Sequence, residues 1–136
     1  MKSIDEGVEV ILYAEDVSAF EIYNTAMNLR NSKQYQQAFE VFDKAIFSLE
    51  SLLKGASKDV YQQAAILGML NKAYGFMAAE TFGKSKSWGS YIRRKAEIQE
   101  WLDNNKLPIT GVKYKQIPPG SEQKILEEIS RKQAGK

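Results

Sequence analysis

From Gln34 onward, Tyr35, Ala38, Phe42, Ala45, Leu49 and Leu52 follow one another at steps of three and four residues, with Phe39, Ile46 and Leu53 widening the same stripe. An α-helix turns side chains at that spacing to a common side, whereas a strand would scatter them over two faces. A helix with one apolar face must lay it against another element, so this segment commits the chain to helix-on-helix packing. Its end is expected near Lys54-Gly55, where a glycine can take the left-handed conformation that closes a helix.

The flanking segments predict partners for that face. Upstream, Ser18-Ala19-Phe20-Glu21 fits a capping box, and Phe20, Tyr23, Ala26 and Met27 continue at helical steps to the polar turn Arg30-Asn31-Ser32-Lys33. Downstream, Ser57 is the expected cap of a third helix from Lys58 to Phe82, which is apolar on nearly every side and so the most buried element. Its small residues Ala64, Ala65, Gly68, Gly75, Ala78 and Ala79 predict close approach of neighbouring helices, offsetting the roughly 1 kcal/mol that each helical glycine costs relative to alanine. After Gly83-Lys84-Ser85-Lys86, Trp88, Tyr91, Ile92, Ile98 and Leu102 signal a fourth helix that fades at Asp103-Asn104-Asn105.

The ends of the chain carry weaker signals. Pro108 to Gly120 reads as an irregular crossing, and Ser121 as the cap of a short polar helix, Glu122 to Lys132. The β-branched run Val8 to Tyr13 suits a strand, but a lone strand has no partner, so a helical or extended lead-in is expected. The expected architecture is therefore all-α: an antiparallel bundle of four to five helices over residues 18–107, preceded by a lead-in (1–17) and followed by the crossing and short helix (108–136).

Composition narrows the chemistry. The 136 residues are enough for one domain with a core of its own, and 43% hydrophobic with 26% charged residues is ordinary globular usage. With no cysteine and no histidine, the chain cannot build a disulfide framework, a thiolate or imidazole zinc site, or a histidine-based hydrolase triad. No metal or cofactor is expected, and a cytoplasmic location fits the cysteine usage. The opening MKSIDEG places acids where a signal peptide needs apolar residues, and Lys72 and Glu80 interrupt the most apolar stretch, so no membrane span is expected. Residues 1–59 hold six Lys/Arg against ten Asp/Glu and residues 60–136 hold thirteen against seven, giving net charges of −4 and +6. Such an asymmetry can orient a partner.

Between Ser18 and Leu53 the helical pair resembles one tetratricopeptide repeat. Ala26 stands at the small position of the first helix, Tyr35 at the aromatic that opens the second, and Ala38, Phe42 and Ala45 form the small-aromatic-small triplet. Ile22, Thr25 and Glu50 depart from the tryptophan, leucine and proline usual there. The triplet is also similar to that of microtubule-interacting and trafficking domains, three-helix bundles whose basic third helix Tyr91 to Ile98 would match. Both families bind proteins, which implies recognition of a peptide or helix in an inter-helix groove, with Tyr23, Asn24, Met27 and Arg30 along it and Tyr74 facing them. A homodimer is the other way to cover apolar surface left over by a single repeat.

Two further patterns bear on function. Ala78 to Ser85 satisfies the relaxed nucleotide-loop spacing, yet the preceding segment is helical and Glu80 and Phe82 put charge and bulk where phosphate would sit, so a helix terminus is expected. Lys84, Lys86, Arg93, Arg94 and Lys95 form a basic stretch free of acids, interleaved with Trp88 and Tyr91. Its alternative to a solvated face is contact with nucleic acid as an accessory protein. The carboxylates, such as Glu97 with Glu100, suggest no acid–base pair, so the expectation is a non-enzymatic adaptor, chaperone-like or scaffold protein.

Overall fold

The computed structural model describes residues 7–55 and 59–119, together with 128 and 131. In chain order the elements are β1 (Val8–Ala14), α1 (Ser18–Asn31), α2 (Tyr35–Gly55), α3 (Val60–Thr81), α4 (Ser87–Asn105) and β2 (Ile109–Gln116). The fold is thus mainly helical, and the short C-terminal helix expected at 122–132 falls outside the described residues apart from positions 128 and 131.

The stripe on α2 does what its spacing demands. Ala38, Phe42, Ala45 and Leu49 are fully buried, and they meet Ala19, Phe20, Tyr23 and Ala26 of α1 and the floor of α3. The Phe42 ring lies 6.3 Å from Tyr23 and 4.8 Å from Phe76, tying three helices at one point. Tyr35, at the start of α2, stands 6.3 Å from Phe76 near the end of α3, so the α1–α2 and α3–α4 turns share one end of the bundle. Helix α3 is the central element, buried at eleven positions that run almost around its circumference. Among the described residues, no helix is long and apolar enough to cross a membrane.

The all-α expectation needs one correction. Residues expected to be a lead-in and an irregular crossing form a two-stranded parallel sheet, pairing Val10 with Val112, Leu12 with Tyr114 and Ala14 with Gln116. Parallel strands require a crossover, and here the four helices are the crossover. Val10, Leu12 and Ala14 of β1 are buried, while Phe20 of α1 stacks on Tyr114 of β2 at 5.1 Å. The strand β1 also accepts a 2.8 Å hydrogen bond at Ile11 O from Gln62 Nε2 of α3, which explains why a glutamine is tolerated in the most buried helix. Gly7 lets the strands meet. A Cβ there would collide with Thr110 Cγ2 and sit 2.6 Å from the Pro108 carbonyl oxygen.

Local signals at three helix ends also resolve differently. Ser18 does not close a capping box: its N–H donates at 2.9 Å to Asp16 Oδ1, and its hydroxyl donates to the same oxygen. These bonds hold the Asp16 carboxyl below its usual range. Helix α3 is capped by Asp59, whose Oδ1 accepts from the N–H groups of Tyr61 (2.9 Å) and Gln62 (3.3 Å), two residues after the expected cap Ser57. Gly55 ends α2 within the helix. Among the described residues, the left-handed conformations belong to Lys33 (φ 64°), Gly83 (φ 73°) and Lys106 (φ 41°), one in each of the α1–α2, α3–α4 and α4–β2 connections.

Candidate functional site

Helix α3 presents unlike surfaces to its two flanks. On one flank, small residues open a cleft. Ala64, Ala65 and Gly68 form its floor, and Tyr23 and Asn24 of α1, Trp101 and Leu102 of α4, and Ile109 and Val112 of β2 form its walls, enclosing about 510 Å³. A Cβ on Gly68 would meet nothing within 4 Å. Gly68, one of the small residues expected to draw helices together, thus faces a space instead, while Ala64 and Ala65 beside it are buried. At Gly75 the expectation of close approach holds, with the Lys95 Cε lying 3.0 Å from where a Cβ would be.

The cleft is apolar with a basic rim. Among the described residues, Lys72 and Lys106 are the charged ones that line it, and neither aspartate nor glutamate is found there. Lys106 N–H donates to Leu102 O at 2.9 Å and closes α4 in a left-handed backbone, the position usually given to glycine; a side chain with a Cβ there costs about 1 kcal/mol. Tyr23 is buried in the wall, and burial raises the pKa of its phenol, with the Arg30 charge opposing the shift. Asn105 turns its Nδ2 to the Trp101 carbonyl oxygen at 2.7 Å, which fixes the end of α4 beside the rim.

The opposite flank of α3 is closed by a polar clamp. Arg94 of α4 grips Glu50 of α2 with two bonds of 2.9 Å, from Nε to Oε2 and from Nη2 to Oε1, and reaches Glu97 at 3.3 Å. The Tyr74 hydroxyl of α3 donates to Glu50 Oε2 at 2.6 Å. For Glu50, burial favours the neutral acid, but the bonds from Arg94 and Tyr74 and the charges of Arg94 and Lys54 outweigh it and lower the pKa. Burial and the bond to Glu50 raise the Tyr74 pKa, and the bond to Glu50 is the main cause of a raised Arg94 pKa. Tyr91 packs 6.1 Å from Tyr74 and is likewise raised, by burial and then by Asp43.

These two flanks divide the residues singled out in the sequence. Tyr23 and Asn24 line the cleft. Met27 packs half-buried against the core, and Arg30 donates from Nη2 to Asn31 Oδ1 at 3.2 Å at the end of α1. Tyr74 does not face them. It points to the other flank, because its register on α3 brings it to Glu50 and Arg94. The basic stretch divides too: Arg94 is neutralised in the clamp, Lys95 is half-buried across Gly75, and Lys84, Lys86 and Arg93 are exposed. Ile92, expected on the apolar side of α4, is exposed at 39%. The nucleotide-loop spacing falls on a helix terminus, with residues 78–81 inside α3 and Thr81 Oγ1 donating to Met77 O at 2.8 Å. No group of acidic side chains among the described residues is arranged to hold a metal ion.

No protein-family model, curated protein or solved structure matches the chain. The cleft residues that sequence reasoning missed are those of the far wall: Trp101, Lys106, Leu107, Ile109 and Val112. For β2 the available signal was the alternation of Val112 and Tyr114 with Gly111, Lys113 and Lys115, too short beside Pro108 and Gly111 to mark a strand.

Proposed function

We propose that this chain is a non-enzymatic protein-interaction module, of adaptor, chaperone-like or scaffold type. It takes an apolar segment of a partner protein, carrying an acidic residue, into the cleft between α1, α3, α4 and β2. The observation that carries the reading is the floor of Ala64, Ala65 and Gly68, which leaves an apolar space walled by Trp101, Leu102 and Tyr23. A concave apolar site with a few fixed polar groups is what peptide side chains fill. Lys72 and Lys106 supply the charge complementarity, and tryptophan and tyrosine are the residues that most often anchor such interfaces. The antiparallel α1–α2 pair supports the tetratricopeptide-like comparison, since Ala26, Ala38 and Ala45 are all fully buried.

The test is selection of a random peptide library on the folded protein, followed by binding of the enriched peptides to Gly68→Phe. Its Cβ enters open space on the cleft floor, and the ring beyond it occupies the cleft. Enriched peptides are expected to be apolar with at least one acid, and to lose at least tenfold in affinity for Gly68→Phe. Peptides that bind wild type and Gly68→Phe alike would place the interaction elsewhere and remove the reading.

A further inference from the structure

The turn end of the bundle combines exposed aromatic and basic groups that the cleft does not use. Phe82 follows α3 and is 65% exposed, with the half-buried Trp88 as its ring partner at 5.3 Å in an edge-to-face arrangement. Between them, Gly83 takes φ 73° and Lys84 and Lys86 are exposed. The α1–α2 turn lies at the same end, and it adds Arg30 and Lys33 beside the 45% exposed Tyr35. Against these four cations stands one acid in the last turn of α3, Glu80.

We propose that this end docks on an anionic phospholipid surface, with Phe82 and Trp88 entering the headgroup layer and Arg30, Lys33, Lys84 and Lys86 meeting the phosphates. An exposed aromatic ring beside a turn that carries the exposed lysines Lys84 and Lys86, with Lys33 and the half-buried Arg30 at the same end, matches the way peripheral proteins combine apolar insertion with attraction to anionic lipid. Two other occupants fit less well. Single-stranded nucleic acid needs ring faces along a groove, and here one ring presents its edge to the other. A second copy would bring two like-charged ends together. The surface is independent of the cleft: Phe82 lies fourteen residues beyond Gly68, roughly 21 Å along α3.

The experiment is co-sedimentation of the full chain with vesicles of phosphatidylcholine alone and of phosphatidylcholine with phosphatidylglycerol, at low and high salt. Binding is expected to the anionic vesicles only and to weaken with salt. Each cation contributes roughly fivefold, so Lys84→Glu with Lys86→Glu should lower binding by more than about twenty-five-fold. Phe82→Ser should lower it on the order of tenfold while leaving the salt dependence unchanged. All of these positions are exposed, and unchanged far-ultraviolet circular dichroism would show that the variants remain folded. The proposal is overturned by no association with anionic vesicles, by equal binding to neutral ones, or by binding that ignores Phe82. Tighter binding to a single-stranded RNA oligonucleotide, lost with the lysine reversals, would also overturn it in favour of nucleic acid.

Discussion

The two flanks of α3 carry the same helix against different neighbours and end in opposite states. On the α2 side, Phe76 meets Phe42 and Tyr74 meets the Glu50–Arg94 pair, so the interface is filled by large rings and a bidentate ion pair. On the β2 side the helix offers Ala64, Ala65 and Gly68, and the walls stand apart around an open cleft. The difference teaches that a helix buried nearly all round is not uniformly packed. Stability is concentrated where side chains interlock, and the flank with small residues is free to receive something else.

Truncations should separate the flanks by size of effect. Phe42→Ala removes a fully buried ring that touches Tyr23 and Phe76, and should cost about 3–5 kcal/mol in urea unfolding. A loss below 1 kcal/mol would mean that the packed flank is not the stabilising one. Arg94→Ala strips the partner from a half-buried carboxylate and should cost about 2 kcal/mol by the same measurement.

The clamp also sets a pH dependence with a definite sign. Because the folded pKa of Glu50 lies below its ordinary 4.5, its contribution is fully present above that value and is lost as pH falls through the lower, folded pKa. Wild type should therefore lose stability in acid below about pH 4.5 more steeply than Glu50→Gln, measured as thermal midpoint against pH. Parallel curves would deny the clamp this role.

Glycine substitutions sharpen the contrast with smaller effects. Gly7→Ala should cost about 1–3 kcal/mol, because its Cβ runs into Thr110 and the Pro108 carbonyl where the strands join. Gly68→Ala, with nothing to strike, should stabilise by about 0.5–1 kcal/mol through helix propensity alone. Gly75→Ala should gain less than Gly68→Ala, since the Lys95 chain must first move aside. A larger gain at Gly75 would mean that the two flanks are equally open.

The legible part of this fold is the part that repeats locally. Tyr35 to Leu53 announces its helix and its buried face through residues a turn apart, and the α1 and α4 boundaries follow from turns and polar runs nearby. The sheet was hidden because Val10 and Val112 are partners across about a hundred residues, and a parallel pair leaves no hairpin turn between its strands to betray it. Without β2, the small residues of α3 read as contact points rather than as a floor, and Trp101 and Lys106 had no cavity to line. Tyr23 and Asn24 could be read toward the cleft because they lie on the α1 face beside α3. Tyr74 could not be placed, since a helix apolar all round gives no phase to say which way one tyrosine points.

The most direct test of the cleft is titration of Trp88→Phe, which leaves Trp101 as the sole tryptophan, with an apolar anionic dye such as anilinonaphthalene sulfonate. One dye should bind per chain, quench Trp101 by energy transfer and be lost in Gly68→Phe at unchanged helical content. Dye binding that persists in the plugged variant with the same stoichiometry and transfer would contradict the account.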